Sequence, residues 1–181
     1  MKNSVIFTIV TILFLHFFSC QSTKTITLIG NSYDEKTNKT ILTLIPYGNI
    51  QIPGKWKKAN YNEISRQHFF QNENGKSIAI TKNPINKYPF FKENLSNKDL
   101  VNDFVKWDLE YWKTKGIETK ILSDESDKGY IIWEAKNEKS KSTTIFLFGL
   151  KNSLAYNFSA ELENWNENDV KVFLISLYEN N

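Results

Sequence analysis

The chain has 181 residues, 23 basic against 20 acidic, for a net charge of +3. That near balance supplies no electrostatic drive toward nucleic acid, while 40% hydrophobic and 14% aromatic residues are enough for one full core and exclude a disordered chain. A single Cys excludes a disulfide framework, and two His cannot build the usual multi-histidine zinc site, so no cofactor is expected.

In chain order the first feature is Lys2, an apolar run over residues 5–18 that includes His16, and then Ser19-Cys20. A hydrocarbon core takes about 20 helical residues to cross, so this short run reads as an export signal rather than a permanent span. It resembles bacterial lipoprotein signal peptides, in which cleavage leaves a cysteine at the new N-terminus for acylation. Ser19 fits that pattern; Phe17 and Phe18 stand where Leu and a small residue are commoner. The resemblance implies a signal over residues 1–19, lipid on Cys20, a short lipidated tether over 20–23 and one domain over 24–181. Simple secretion and an uncleaved anchor are the alternatives. Gln21-Ser22-Thr23-Lys24 lacks the acidic run of surface-exported lipoproteins, which places the expected protein in the bacterial cell envelope facing the periplasm.

Residues 25–29 and 40–45 read as strands separated by a turn-rich stretch over 31–38, forming a first hairpin. Ile50-Gln51-Ile52 is a strand stopped by Pro53-Gly54, and the basic stretch Lys55-Trp56-Lys57-Lys58 reads as a solvated face beside that turn. Residues 63–71 and 76–81 form a hairpin through Asn74-Gly75. Residues 97–115 form a helix, with Ser96 or Asn97 as cap, Asp99 at the positive end of the dipole and Gly116 as stop. Four strands follow over 118–122, 130–135, 143–150 and 155–161, as an antiparallel meander. The run Thr144-Ile145-Phe146-Leu147-Phe148 is apolar on both faces and suits a central strand covered on both sides. A closing helix over 167–178, capped by Asn164 or Asn166, buries Val170, Phe173, Leu174 and Leu177. The fold class is α+β, a central antiparallel sheet covered by helices.

Three stretches in order resemble PsbP-like domains: Ile50-Gln51-Ile52-Pro53-Gly54-Lys55-Trp56, the hairpin strand Gly75-Lys76-Ser77-Ile78-Ala79-Ile80, and Ala155-Tyr156-Asn157-Phe158-Ser159-Ala160 followed by Trp165 and the last helix. The resemblance implies an α/β/α sandwich that works by binding proteins and carries over no catalytic residues. Strands before residue 45 fall outside it.

Two places could carry chemistry. Arg66 and His68, two apart, are expected on one face of one strand, and Asp108 falls inside the apolar arc Leu100, Val101, Phe104, Trp107, Tyr111 and Trp112 of the first helix. A carboxylate there must be paired, hydrogen-bonded, protonated or wet. It either makes a buried hydrogen bond, to a tryptophan ring nitrogen for example, or lines a pocket with Arg66 and His68 opposite. The second place is the loop holding Tyr88, Phe90 and Phe91 between Pro84 and the helix, whose rings either pack over the sheet or form a partner surface. The leading functional expectation is a non-enzymatic, lipid-anchored module binding an envelope protein through that loop. The competing one is a small-molecule binder or enzyme using the Asp108, His68 and Arg66 pocket.

Overall fold

The computed structural model describes residues 28–181. The export signal and Cys20 therefore lie outside the described residues. The first three strands, β1 (Leu28–Asp34), β2 (Lys39–Ile45) and β3 (Gly48–Pro53), form a sheet of their own in the order β1-β2-β3. It is apolar on one face only: Leu42, Leu44, Ile50 and Ile52 are buried, while β1 is mostly exposed. β1 extends through Asn31 and Ser32, which sequence alone places in a turn, because their register partners Leu42 and Ile41 supply a complete ladder at an edge where side chains can face water.

The second sheet holds β4 (Trp56–Asn62), β5 (Gln67–Asn72), β6 (Ser77–Pro84), β7 (Glu118–Glu125), β8 (Tyr130–Asn137), β9 (Ser142–Lys151) and β10 (Leu154–Glu161). All neighbours are antiparallel, in the order β4-β5-β6-β10-β9-β8-β7. The meander β7 to β10 is as expected, and β10 joins it to the earlier hairpins by pairing with β6. The Lys-rich stretch after Gly54 runs into strand β4, and its Lys55 and Lys57 are exposed, the solvated face expected of it. Only Trp56 of β4 is buried, and lysines on an edge strand discourage further pairing. The β5–β6 hairpin turns where Asn72 Oδ1 accepts from the backbone N–H of Asn74 and of Lys76 at 3.0 Å, with Gly75 at φ +73°.

Helix α1 (Asn97–Thr114) starts where Ser96 Oγ accepts from Asp99 N–H, and α2 (Glu167–Glu179) where Asn166 Oδ1 accepts from Asp169 N–H. Among the described residues no helix is long and apolar enough to cross a membrane. Each helix covers one face of the large sheet. Ile145 and Leu147 of β9 point to the face covered by α2 and the small sheet, whereas Phe146 and Phe148 point to the α1 face. On the α1 side Phe104 stacks on Phe148 with ring centres 3.5 Å apart, and Trp133 on Phe146 at 4.1 Å. The two sheets are joined by Thr40, fully buried, whose hydroxyl donates to Gly54 O and accepts from Trp56 N–H.

The C-terminal helix is seated by Tyr178. Its hydroxyl lies 3.0 Å from Gly129 O and 3.1 Å from Leu150 O, and its ring lies against the bare α-carbon of Gly149. A Cβ at that position would come within 2.3 Å of the ring. Gly149→Ala is therefore expected to lower unfolding free energy by about 2–3 kcal/mol through overpacking. Urea denaturation checks this, and an unchanged midpoint would contradict the seat described.

Candidate functional site

A helix is about 10 Å across and strands are spaced about 4.8 Å, so one helix cannot roof seven strands. α1 packs on β7, β8 and β9. Over β5, β6 and β10 the same face is left as a cleft of about 670 Å³. One wall is α1, through Phe104, Trp107, Asp108, Tyr111 and Trp112. The other is the β4–β5 turn, through Ile64, Ser65 and Arg66, with Lys87, Tyr88 and Pro89. The floor is polar where strand alternation would ordinarily place apolar side chains: Thr81 and Asn83 from β6, Asn157 from β10 and Gln67 from β5. A second hollow of about 450 Å³ shares Gln67, Trp112 and Phe146 with it and continues over Phe69, Ala79 and Ser159.

Thr81 and Asn157 are direct register partners across β6 and β10. Thr81 is 2% exposed, and among the described residues neither its Oγ1 nor Asn157 Oδ1 has a hydrogen-bond partner. Leaving a buried hydroxyl or amide oxygen unmatched costs about 1–3 kcal/mol each. Trp107 and Tyr111, at 42% and 50% exposure, hold aromatic surface open at the mouth, and Ile64 on the opposite lip is 97% exposed.

Asp108 is partly buried, and among the described residues it forms no salt bridge. Burial pushes its carboxyl up to about 7, with the Trp112 side chain one turn on pulling the other way. Both readings of this residue thus have a physical basis: it neighbours a tryptophan, and it lines a cleft. Burial also raises the Tyr88 hydroxyl, which Asn83 beside it counters. That hydroxyl feels both the Asp108 carboxylate and the Arg66 guanidinium, which sets the three groups around one space.

The expected trio is only partly assembled. Arg66 lines the cleft with Asp108, but from the turn, at φ +56°, and not from a strand. The turn breaks the two-residue parity that would put Arg66 and His68 on one face. His68 is on β5 opposite Ile80, so it shares the α2 face of the sheet and lies outside the cleft. There it is 3% exposed, lies tilted against the Tyr61 ring at 4.6 Å, and has its folded pKa pushed down to about 4 by burial and by Lys58. The aromatic loop is likewise not a projecting patch. Tyr88 and Phe90 meet Phe104 edge-on at 5.3 and 5.7 Å, Phe90 reaches Trp107, and Phe91 packs against the same core. Among the described residues no group of three His, Cys, Asp or Glu could hold a metal.

Asp108 and His68 bias stability in opposite directions. Asp108, raised from 3.8 to about 7, favours the fold fully below its unfolded pKa and loses that contribution as pH rises toward 7. His68, lowered from 6.5 to about 4, contributes above 6.5 and loses that contribution as pH falls toward 4. Between pH 4 and 6.5 the native protein should show little net slope from these two groups. Asp108→Asn should instead gain stability with rising pH, and His68→Phe should lose it, each by on the order of 2–3 kcal/mol. Denaturant titrations across that window measure both slopes; equal signs would refute the assignment.

No protein-family model matches the chain, and no curated protein matches it. Among solved structures the chain is similar to the solution structure of cyanobacterial PsbP (CyanoP) from Synechocystis sp., at 11% identity and a TM-score of 0.39, over 90% of this chain and 94% of that one.

Proposed function

We propose that the protein is a lipid-anchored cell-envelope protein that binds a small polar molecule in the cleft between α1 and the strands β5, β6 and β10. The observation that carries the binding reading is the unmatched pair Thr81 Oγ1 and Asn157 Oδ1, both shielded from water, in side chains that line an open cleft. A core built only for stability would place apolar groups there, since an orphaned buried hydroxyl lowers stability without return. Its volume falls in the range of about 300–1,000 Å³ typical of small-molecule sites, and it has the usual mixture of aromatic wall and few convergent polar groups. Binding is favoured over catalysis because the cleft's titratable groups of shifted pKa, Asp108 and Tyr88, are not joined there by His68. A protein partner docking on Tyr88, Phe90 and Phe91 is the weaker reading, as those rings are spent on packing. The envelope location rests on the sequence around Ser19-Cys20, with lipid on the cysteine.

Thr81→Val separates a ligand role from a structural one. If the hydroxyl serves a ligand, the variant should be more stable than the native chain by about 1 kcal/mol, because a buried unmatched polar group is removed. The same variant should weaken, at least tenfold, the binding of small polar and aromatic fragments whose chemical-shift changes cluster at the Trp107 and Trp112 indoles. A loss of stability, or fragment binding elsewhere, would count against the cleft. For the anchor, Cys20→Ser should abolish labelled-palmitate incorporation and move the protein from the membrane to the soluble fraction of cells. Retention of label in that variant would rule out acylation at Cys20.

A further inference from the structure

Resting on the cleft being a ligand site, we infer that its ligand is a saccharide. The inference comes from what each ligand class would leave unmatched. An apolar ligand would satisfy Trp107 and Tyr111 but leave Thr81 Oγ1 and Asn157 Oδ1 without partners on the floor. A small inorganic anion would suit Arg66 and Lys87 at the rim but offers no donor to Asn157 Oδ1 and no face to the aromatic wall. A cationic ligand would meet the same two basic side chains. A sugar ring answers all three features together. Its hydroxyls both donate and accept, as the lining amides and the threonine do. One face of the ring presents C–H groups that lie flat on an indole or phenol ring.

The layout gives each group a place. Asn157, Thr81 and Asn83 line adjacent strands at the floor, beside the space a ring would fill. Asp108 overhangs that floor from α1 and can accept from neighbouring hydroxyls when ionised or donate to one when protonated. Trp107 and Tyr111, one turn apart on the helix and both still half exposed, are the stacking platform at the mouth. The hollow that continues past Trp112 toward Phe69 and Ser159 leaves room for extension beyond the first unit.

The test uses the full chain in mild detergent, titrated with a panel of neutral mono- and disaccharides, including glucose, N-acetylglucosamine and cellobiose, beside non-sugar probes: benzyl alcohol, benzoate and inorganic phosphate. Tryptophan fluorescence and indole chemical shifts are the readouts. The expected result is saturable binding of at least one saccharide, weakened at least tenfold by Trp107→Ala and by Thr81→Val. Trp107 is exposed enough that its truncation should leave the fold intact, which a denaturation curve checks. Benzyl alcohol or benzoate binding in the cleft with no saccharide bound would overturn the saccharide assignment while leaving the cleft a ligand site. Saccharide binding indifferent to both substitutions would place it elsewhere and also overturn the inference. Failure of every probe to bind would remove the underlying reading with it.

Discussion

The width of the large sheet governs the rest of the molecule. Both its faces carry apolar residues from β8, β9 and β10, so both must be covered. One face is roofed by α2 and the small sheet together, and Leu42, Leu44, Ile50 and Ile52 join Val170, Leu174 and Leu177 in a single cluster. The other face has α1 alone, placed over β7 to β9. A strip over β5, β6 and β10 is thereby left to solvent or to a ligand. The chain meets that strip with polar side chains on the floor and with Tyr88 and Phe90 leaning in from the loop. The cleft is a consequence of the layer geometry, with no inserted domain or long lid needed to form it.

Its polar floor runs against stability, and the compensation is found in dense aromatic packing nearby. The Phe104–Phe148 and Trp133–Phe146 stacks lock α1 to the sheet from one side, and Tyr178 locks α2 from the other. Apolar packing and the polar floor are thus divided by strand: β8 and β9 are apolar on both faces, whereas β6 and β10 place Thr81, Asn83, Asn157 and Ser159 on the α1 face. In β10 the sequence Tyr156-Asn157-Phe158-Ser159 shows the division residue by residue. Such local conflict between burial and polarity is the pattern expected where a binding site has been set into a stable frame.

Sequence reasoning found the elements whose residues are constrained on both sides. The meander over β7 to β10 and both helices have dense apolar patterning and side-chain caps, so their limits fall within a few residues of the expectation. It missed β4 and most of β1, residues 30–34, which are edge strands. Their side chains face water and carry Lys and Asn, so composition alone cannot separate them from turns. At the site, Asp108 was legible because a carboxylate interrupts an apolar helical arc. The face of His68 was not, because counting by two fails across a turn that includes Arg66 at positive φ. Thr81 and Asn157 left a readable signal as polar residues at inward strand positions. What the sequence could not disclose is that β6 and β10 are neighbours, a pairing between segments far apart in the chain, and so that the two side chains face each other.

The order of strands in the small sheet has a mechanical consequence. Among the described residues β1 is paired only with β2, and Leu28 lies at the open end of that hairpin, opposite Ile45. Tension arriving through the chain ahead of Leu28 would therefore load the ladder one rung at a time, the weak direction for an antiparallel pair, and would not shear all its bonds at once. Because β1 contributes almost nothing to the core, it can peel away while β2 and β3 keep Leu42, Leu44, Ile50 and Ile52 in place. Under such a pull the strand would yield first, and the cleft on the far side of the large sheet would keep its shape.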